Sequence, residues 1–150
     1  MKKLTQILSA VDTLNLKITT MKNFPTEYLD LLKDETKAYL FLATIMPDGS
    51  PQVTPIWFNT DDQYILINTN EGRTKDRNMK AHPKVALVIQ DPRTPYRYIQ
   101  IRGEIAEFTT QGADEHINQL SLKYDNEPWR HREGQKRIIF KIKPTHFDLH

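Results

Sequence analysis

The chain has 150 residues and a formal net charge of +2, which suits one domain with a real core and falls short of the concentrated positive charge of a nucleic-acid binder. It contains no cysteine, which excludes disulfides, thiolate catalysis and thiolate metal sites and is compatible with the cytoplasmic location expected here. Apolar residues make up 38% against 27% charged, leaving room for cofactor or subunit contacts, and no apolar run approaches the roughly 18–20 residues that cross a bilayer, so neither nucleic acid nor membrane is an expected partner.

Residues 1–23 read as an extension, with Leu4, Ile7, Leu8, Val11 and Leu14 on one helical face, and the organised domain is expected over 24–150. Thr26 is the expected N-cap of a short helix carrying Glu27, Tyr28, Leu29, Leu31 and Leu32. Ala38–Ile45 is a dense apolar strand, Pro47-Asp48-Gly49-Ser50 a turn, and Gln52–Phe58 its partner. Pro55 has no N–H for a ladder and marks an edge, a bulge or a ligand-facing kink. A turn at Thr60–Gln63 leads into Tyr64–Thr69, completing a three-strand meander. Arg73–His82 reads as a helix closed by Pro83, Val85–Ile89 as a buried strand, and Asp91–Tyr96 as a loop stiffened by two prolines. From Tyr98 to Phe108 apolar and polar residues alternate with period two. Gly112–Tyr124 has helical spacing, and Arg137–Lys143 is a last strand that Pro144 is expected to end. The sum is mainly β with accessory helices: about six antiparallel strands in a barrel or sandwich.

Chemistry concentrates at Gly72-Arg73-Thr74-Lys75-Asp76-Arg77-Asn78. Arginine offers a planar donor fork and lysine a point charge, and both suit a phosphate. The five glycines are too scattered for a dinucleotide fingerprint or P-loop, so any phosphate here is gripped by side chains. The competing reading of the same residues is a solvated helix face. Trp57 is expected to pack in the core. Tyr96-Arg97-Tyr98 suits either stacking on a ligand or a subunit seam. Of the histidines only His146 and His150 have metal-like spacing, and they lie beyond the last expected strand, so no metal site is expected. None of the three serines sits in a nucleophile elbow, and no catalytic acid–base pair stands out, which leaves the catalytic residues unknown and the chemistry to a cofactor.

Leu42-Ala43-Thr44, Asp48–Phe58, Gly72–Asn78, His82–Leu87, Asp91-Pro92 with Pro95–Tyr98, and Ile101–Glu104 together resemble the pyridoxamine-phosphate-oxidase-like family over about residues 24–147. That resemblance implies an FMN-binding split β-barrel, a homodimer with cofactor at the subunit interface, and hydride transfer to or from a small organic substrate. The Asp91–Tyr98 and Gly72–Asn78 blocks look most like the short branch that uses the deazaflavin coenzyme F-420, so the implied cofactor is FMN or that coenzyme. Carried over, Arg73 and Lys75 hold the cofactor phosphate, assisted by Thr69, Thr74 and Asn78. Thr54, Pro55 and Ile56 line the ring, and Gln90 reaches the same ligand. True pyridoxamine phosphate oxidases continue into a longer Arg/Trp-rich segment, absent after Lys143–Asp148, so vitamin B6 oxidation is not expected. The alternative class is a non-catalytic flavin-binding, haem-binding or other small-ligand-binding barrel.

Overall fold

The structure, a computed structural model, describes residues 21–150; the helical face expected at Leu4–Leu14 lies outside them. Seven strands run β1 (Tyr39–Ile45), β2 (Pro51–Ile56), β3 (Phe58–Thr60), β4 (Ile65–Asn70), β5 (Lys84–Gln90), β6 (Tyr98–Thr109) and β7 (Arg137–Leu149). Helix α1 spans Thr74–Ala81 and α2 spans Ala113–Asp125, and a 3-10 helix covers Thr26–Leu32. One antiparallel sheet holds all strands in the order β2-β1-β5-β6-β7-β4-β3.

The two outermost strands of that order, β2 and β3, are consecutive in the chain and separated by Trp57 alone. Ile56 still faces Leu40 of β1, while Phe58 already faces Ile67 of β4. One residue therefore carries the chain from one edge of the sheet to the other, and the curled sheet becomes a split barrel with no long free edge. The same step explains why there are seven strands rather than six: the single segment expected at Gln52–Phe58 changes ladders at its penultimate residue, and the new strand runs on to Thr60. Pro55, whose missing N–H would break a continuous ladder, sits two residues before the change.

Alternation sorts the side chains as period two requires. Leu40, Leu42, Ile65, Ile67, Leu87, Ile89, Ile99, Ile101, Phe140 and Ile142 turn inward and are fully or almost fully buried. The core also takes in Met21 and Phe24, the latter edge-on to Phe147 at 5.4 Å. Thr26 opens the 3-10 helix rather than capping it: Pro25 holds the cap position and no side chain caps the end.

Strand β7 continues five residues past Pro144. Register shifts in its pairing with β6, at Arg102/Gly103 and Ile105/Glu107, absorb the proline, which lies opposite Gly103. Gly103 is needed there. A Cβ at that position would stand 2.8 Å from the Lys143 carbonyl oxygen and 3.0 Å from Ile142 Cγ2. Gly103→Ala should destabilise the fold by about 1–3 kcal/mol through backbone overpacking, read as a lower urea midpoint with an unchanged slope; an unaltered midpoint would show that β6 and β7 can part without cost.

Candidate functional site

A cavity of about 480 Å³ opens beside the crossover, within the size range of small-molecule sites. Pro55, Ile56 and Trp57 form one wall with Tyr39 and Ile117; Asn68, Thr69, Arg73, Lys75 and Arg137 form another, and Trp129, Arg132 and Gln135 complete the lining. Strand ends, the start of α1 and the loop between α2 and β7 thus meet at one end of the barrel.

The crossover wall is held from α2. Trp57 stacks on Tyr124 with ring centres 5.4 Å apart and planes 5° from parallel, and meets Trp129 edge-on at 6.2 Å. The Tyr124 hydroxyl donates to the Ala38 carbonyl at 2.7 Å. Lys123 Nζ donates to the Phe58 carbonyl at 2.7 Å and lies 4.4 Å from the Phe58 ring centre. Burial pushes this ammonium down to about 8, with Asp34 3.6 Å away working in the opposite direction.

The cationic wall is held by a buried polar chain. Arg137 Nε donates to Asn68 Oδ1 at 2.8 Å and its NH1 to Asn70 Oδ1 at 2.9 Å. Asn68 Nδ2 donates to the Ala113 carbonyl at 2.9 Å and meets His116 Nδ1 at 3.1 Å; His116 Nε2 meets Asn59 Oδ1 at 2.8 Å. Only one arrangement satisfies every partner: Nδ1 accepts from the Asn68 amide and Nε2–H donates to Asn59. Burial, reinforced by the Arg137 charge, pushes the imidazole down to about 4, so it is neutral near pH 7. Burial and Arg73 together push Arg137 down to about 10, and burial, Arg73 and Arg137 all lower Lys75. Among the described residues, none of Arg73, Lys75, Arg132 or Arg137 forms an ion pair with a carboxylate, although eleven such pairs occur elsewhere.

Gly72, at φ +85°, turns the chain out of β4 into α1, and its N–H donates to Asp76 Oδ2 at 2.7 Å. This turn delivers Arg73 and Lys75 to the cavity, while Arg77 folds back onto the Gly72 carbonyl. Of the residues expected at a site, Pro55, Ile56, Thr69, Arg73 and Lys75 line the cavity; Thr54, Thr74, Asn78 and Gln90 do not. Thr54 lies opposite Leu42, and Thr74 opens α1. Asn78 is buried against Thr44 Oγ1 at 3.0 Å, and the orientation that satisfies both its ends donates to the Ile45 and Thr74 carbonyls at 3.3 Å. Gln90 Nε2 donates to the Pro95 carbonyl at 3.1 Å. Trp57, expected as packing, packs and lines the cavity as well. Arg97 is committed to carboxylates, with Asp30 at 2.7 Å and Asp91 at 3.1 Å; hydrogen bonds from Arg93 first and from Arg97 second hold Asp91 well below the usual range. Arg97 thereby clamps its loop to the 3-10 helix, and Tyr98 stacks on His150 rather than facing the cavity.

Sequence reasoning missed Tyr39, Asn68, Ile117, Trp129, Arg132, Gln135 and Arg137 as lining residues. Their one available signal was the polar Asn68-Thr69-Asn70 end of an otherwise apolar strand, since polar side chains at a buried strand end must find partners.

The buried histidine generates a pH dependence. Its folded value near 4 lies below the ordinary 6.5, so between those values the unfolded chain binds a proton that the folded chain does not. This contribution is fully present above about pH 6.5 and is lost as pH falls toward 4, by up to about 3 kcal/mol. His116→Gln, which cannot titrate, should flatten that part of the profile in urea melts at pH 7 and pH 4.5. An identical pH slope in the variant would assign the acid sensitivity to other groups.

Comparison with known proteins gives consistent results. The model of the family described as pyridoxamine 5'-phosphate oxidase matches residues 24–150. A pyridoxine/pyridoxamine 5'-phosphate oxidase of Azorhizobium caulinodans is 35% identical over 74 residues, which is 49% of this chain and only 34% of that protein's length. A solved structure of an F420 reductase is 35% identical with a TM-score of 0.73, covering 83% of this chain and 98% of that one. HutZ, a haem storage protein from Vibrio cholerae, shares the fold at 14% identity and a TM-score of 0.59, covering 83% of this chain and 93% of that one.

Proposed function

This chain belongs to the pyridoxamine 5'-phosphate oxidase family, and we propose that it is an oxidoreductase that binds FMN or the deazaflavin coenzyme F-420 and moves a hydride equivalent to or from a small organic substrate. The observation that carries this reading is the cavity itself, lined by four cations that have no carboxylate partner among the described residues and by apolar and aromatic side chains. Such a donor set fits a ligand that joins a flat ring to a phosphate. When bound, the cofactor supplies hydride chemistry that no side chain lining the cavity provides.

Arg73 and Lys75 hold the phosphate; burial, together with the Arg73 and Arg137 charges, lowers Lys75, and a bound anion would offset that crowding. Pro55, Ile56 and Trp57 back the ring, with Thr69 at the strand end beside the cations. Asn78 and Thr74 fix the turn of α1 that aims Arg73 and Lys75; Thr54 and Gln90 belong to the strands behind the ring. The 35% identity to an F420 reductase across nearly all of that chain favours the deazaflavin. For the haem alternative, none of the described residues lining the cavity is a histidine, methionine or cysteine, three of the usual axial ligands. The absorption spectrum of the purified protein separates flavin from haem, and turnover with reduced cofactor separates an enzyme from a cofactor store.

The outer face of the sheet supports a homodimer. Val53 is 62% exposed and Tyr39 49%, and beside them on β1, β2 and β5 lie Phe41, Pro55 and Val88, none of them fully buried. At micromolar concentration with cofactor, light scattering should report twice the 17.6 kDa chain mass, and Val53→Glu should shift it toward the monomer. A wild-type monomer with cofactor bound would refute the dimer.

The direct test is cofactor titration. Arg73→Ala and Lys75→Ala should each weaken FMN or F-420 binding about tenfold to a hundredfold, the worth of a charge-assisted hydrogen bond. Riboflavin, which has the ring without the phosphate, should lose far less. Equal losses for FMN and riboflavin, or no loss, would make both residues ordinary solvated charges.

A further inference from the structure

At the opposite end of the β4–β7 ladder from the cavity described above lies a second hollow, of about 290 Å³, which shares no lining residue with the first. Its rim carries Lys22, Asn23, Gln63, Tyr64 and Lys143, and its floor is Pro144 and Phe147.

Two departures from regular backbone build this hollow. Asn23 adopts φ +63°, in the left-handed region, and the turn there leaves Lys22 and Asn23 exposed between the buried Met21 and Phe24. The Lys22 N–H donates to the Asp62 carbonyl at 2.8 Å, which holds the turn against the loop that leads through Gln63 and Tyr64 into β4. On the facing side, Pro144 lies opposite Gly103 and His146 opposite Arg102, so Thr145 is the extra residue of a bulge that follows Lys143 and Pro144. Bulges and left-handed residues other than glycine are devices that re-aim side chains, and they gather at binding sites.

The charge brought together is not balanced. Among the described residues neither Lys22 nor Lys143 forms an ion pair, although Glu104 lies opposite Lys143 in the ladder. Other nearby acids are engaged elsewhere: Asp61 accepts from the Gln63 and Tyr64 N–H groups at 2.8 and 2.6 Å, and Glu107 holds Lys141 at 2.6 Å. Each ammonium offers three rotatable donors, and the Asn23 and Gln63 amides and the Tyr64 hydroxyl add neutral ones, a set that suits the several oxygens of a phosphate. Below them Phe147, set edge-on against Phe24 at 5.4 Å, and Pro144 form a small apolar floor. The volume is at the lower edge of small-molecule sites, which suits one ring or a short chain and leaves no room for a flavin nucleotide.

We propose that Lys22, Lys143 and Tyr64 bind a small phosphate monoester at this second site, its phosphate between the two ammonium groups and its apolar body on Pro144 and Phe147. The proposal goes beyond the cofactor reading and does not depend on it.

Two-dimensional NMR of the full chain, with FMN in excess to fill the first cavity, tests it with phenyl phosphate, inorganic phosphate and phenol as probes. Phenyl phosphate should shift the amide signals of Asn23, Gln63, Lys143 and Phe147 saturably, with a dissociation constant of about 1 mM or below, and bind severalfold more tightly than either fragment. Lys22→Ala and Lys143→Ala, both at exposed positions, should each weaken it about twofold to tenfold. Arg73→Ala should leave it unchanged. Shifts confined to Thr69, Arg73 and Lys75 overturn the proposal, since the ester would then be held by the first cavity. So do shifts around the hollow that fail to saturate, or that neither lysine variant weakens. Equal affinity for phenyl phosphate and inorganic phosphate also overturns it, because the apolar floor would then take no part. The cofactor reading fails separately: if FMN does not bind, the same signals still tell the two cavities apart.

Discussion

A strand cannot change partners without exposing backbone hydrogen-bonding groups, and this fold makes its change at a single residue. Between Ile56, opposite Leu40, and Phe58, opposite Ile67, Trp57 has room for no turn or loop. Whatever stabilises the crossover must come from outside the sheet. It comes from α2, which donates Lys123 Nζ to the carbonyl of Phe58 and stacks Tyr124 on Trp57 itself. A lysine is unusual in such a buried place, yet its ammonium satisfies a carbonyl at the point where the ladder changes, and its proximity to the Phe58 and Tyr124 rings offsets part of its desolvation. Closing the barrel and opening the cavity are therefore one event, because Ile56 and Trp57, at the change of ladder, also line the apolar wall with Pro55.

The opposite wall follows different physics. There the protein gathers charge without balancing it, and the neighbouring groups are chosen to be neutral. His116 would add a fifth cation if protonated, but burial and Arg137 keep it uncharged near pH 7. Asparagines rather than aspartates hold Arg137. Carboxylates at those positions would accept the same hydrogen bonds and would cancel the field that attracts an anion. Asp76, the acid within the Gly72–Asn78 turn, is turned away onto the Gly72 amide and Lys80. Like charges crowd together at this wall, which costs stability that an anion bound there would restore.

Most of the strands could be read from the chain because each carries a period-two pattern or an apolar run between turn residues. The change of ladder at Trp57 could not, because a strand that pairs first on one edge and then on the other has the same local pattern as one that pairs throughout. The run of β7 past Pro144 was hidden for a related reason: the bulges that admit the proline lie in the pairing with β6 and depend on Gly103. At the site, Arg73 and Lys75 were legible because a turn glycine and a cluster of cations lie within a few residues. Arg137 was not. Nothing near it in sequence marks it as more than the polar start of a strand; it becomes a site residue only when β7 pairs with β4 and sets it opposite Asn70. Trp129 and Arg132 sit in a loop whose destination is fixed by tertiary packing alone. Asn78 and Gln90 illustrate the converse, since polar residues beside a cavity can be occupied in holding backbone.

Both walls of the cavity are referenced to one helix. His116 and Lys123 are seven residues apart on α2, two turns along the same face, and they reach consecutive residues of β3: His116 meets the Asn59 side chain and Lys123 the Phe58 carbonyl. Through Asn68, His116 also fixes Arg137, and through Phe58, Lys123 fixes the end of the crossover. The distance between the apolar wall and the cationic wall is thus set by the rigid spacing of two side chains on one helix rather than by two independent loops. A ligand that spans the walls is positioned against a single reference, which is the condition for holding a ring and an anion in fixed relation. Burial lowers both groups, so both contacts respond to pH in the same direction. Acid protonates His116 and disturbs the cationic wall, whereas Lys123, once neutral above about 8, sheds the cost of its buried charge and still has an N–H for the Phe58 carbonyl, so the spacing of the walls is lost on the acid side, toward about 4, and not on the alkaline side.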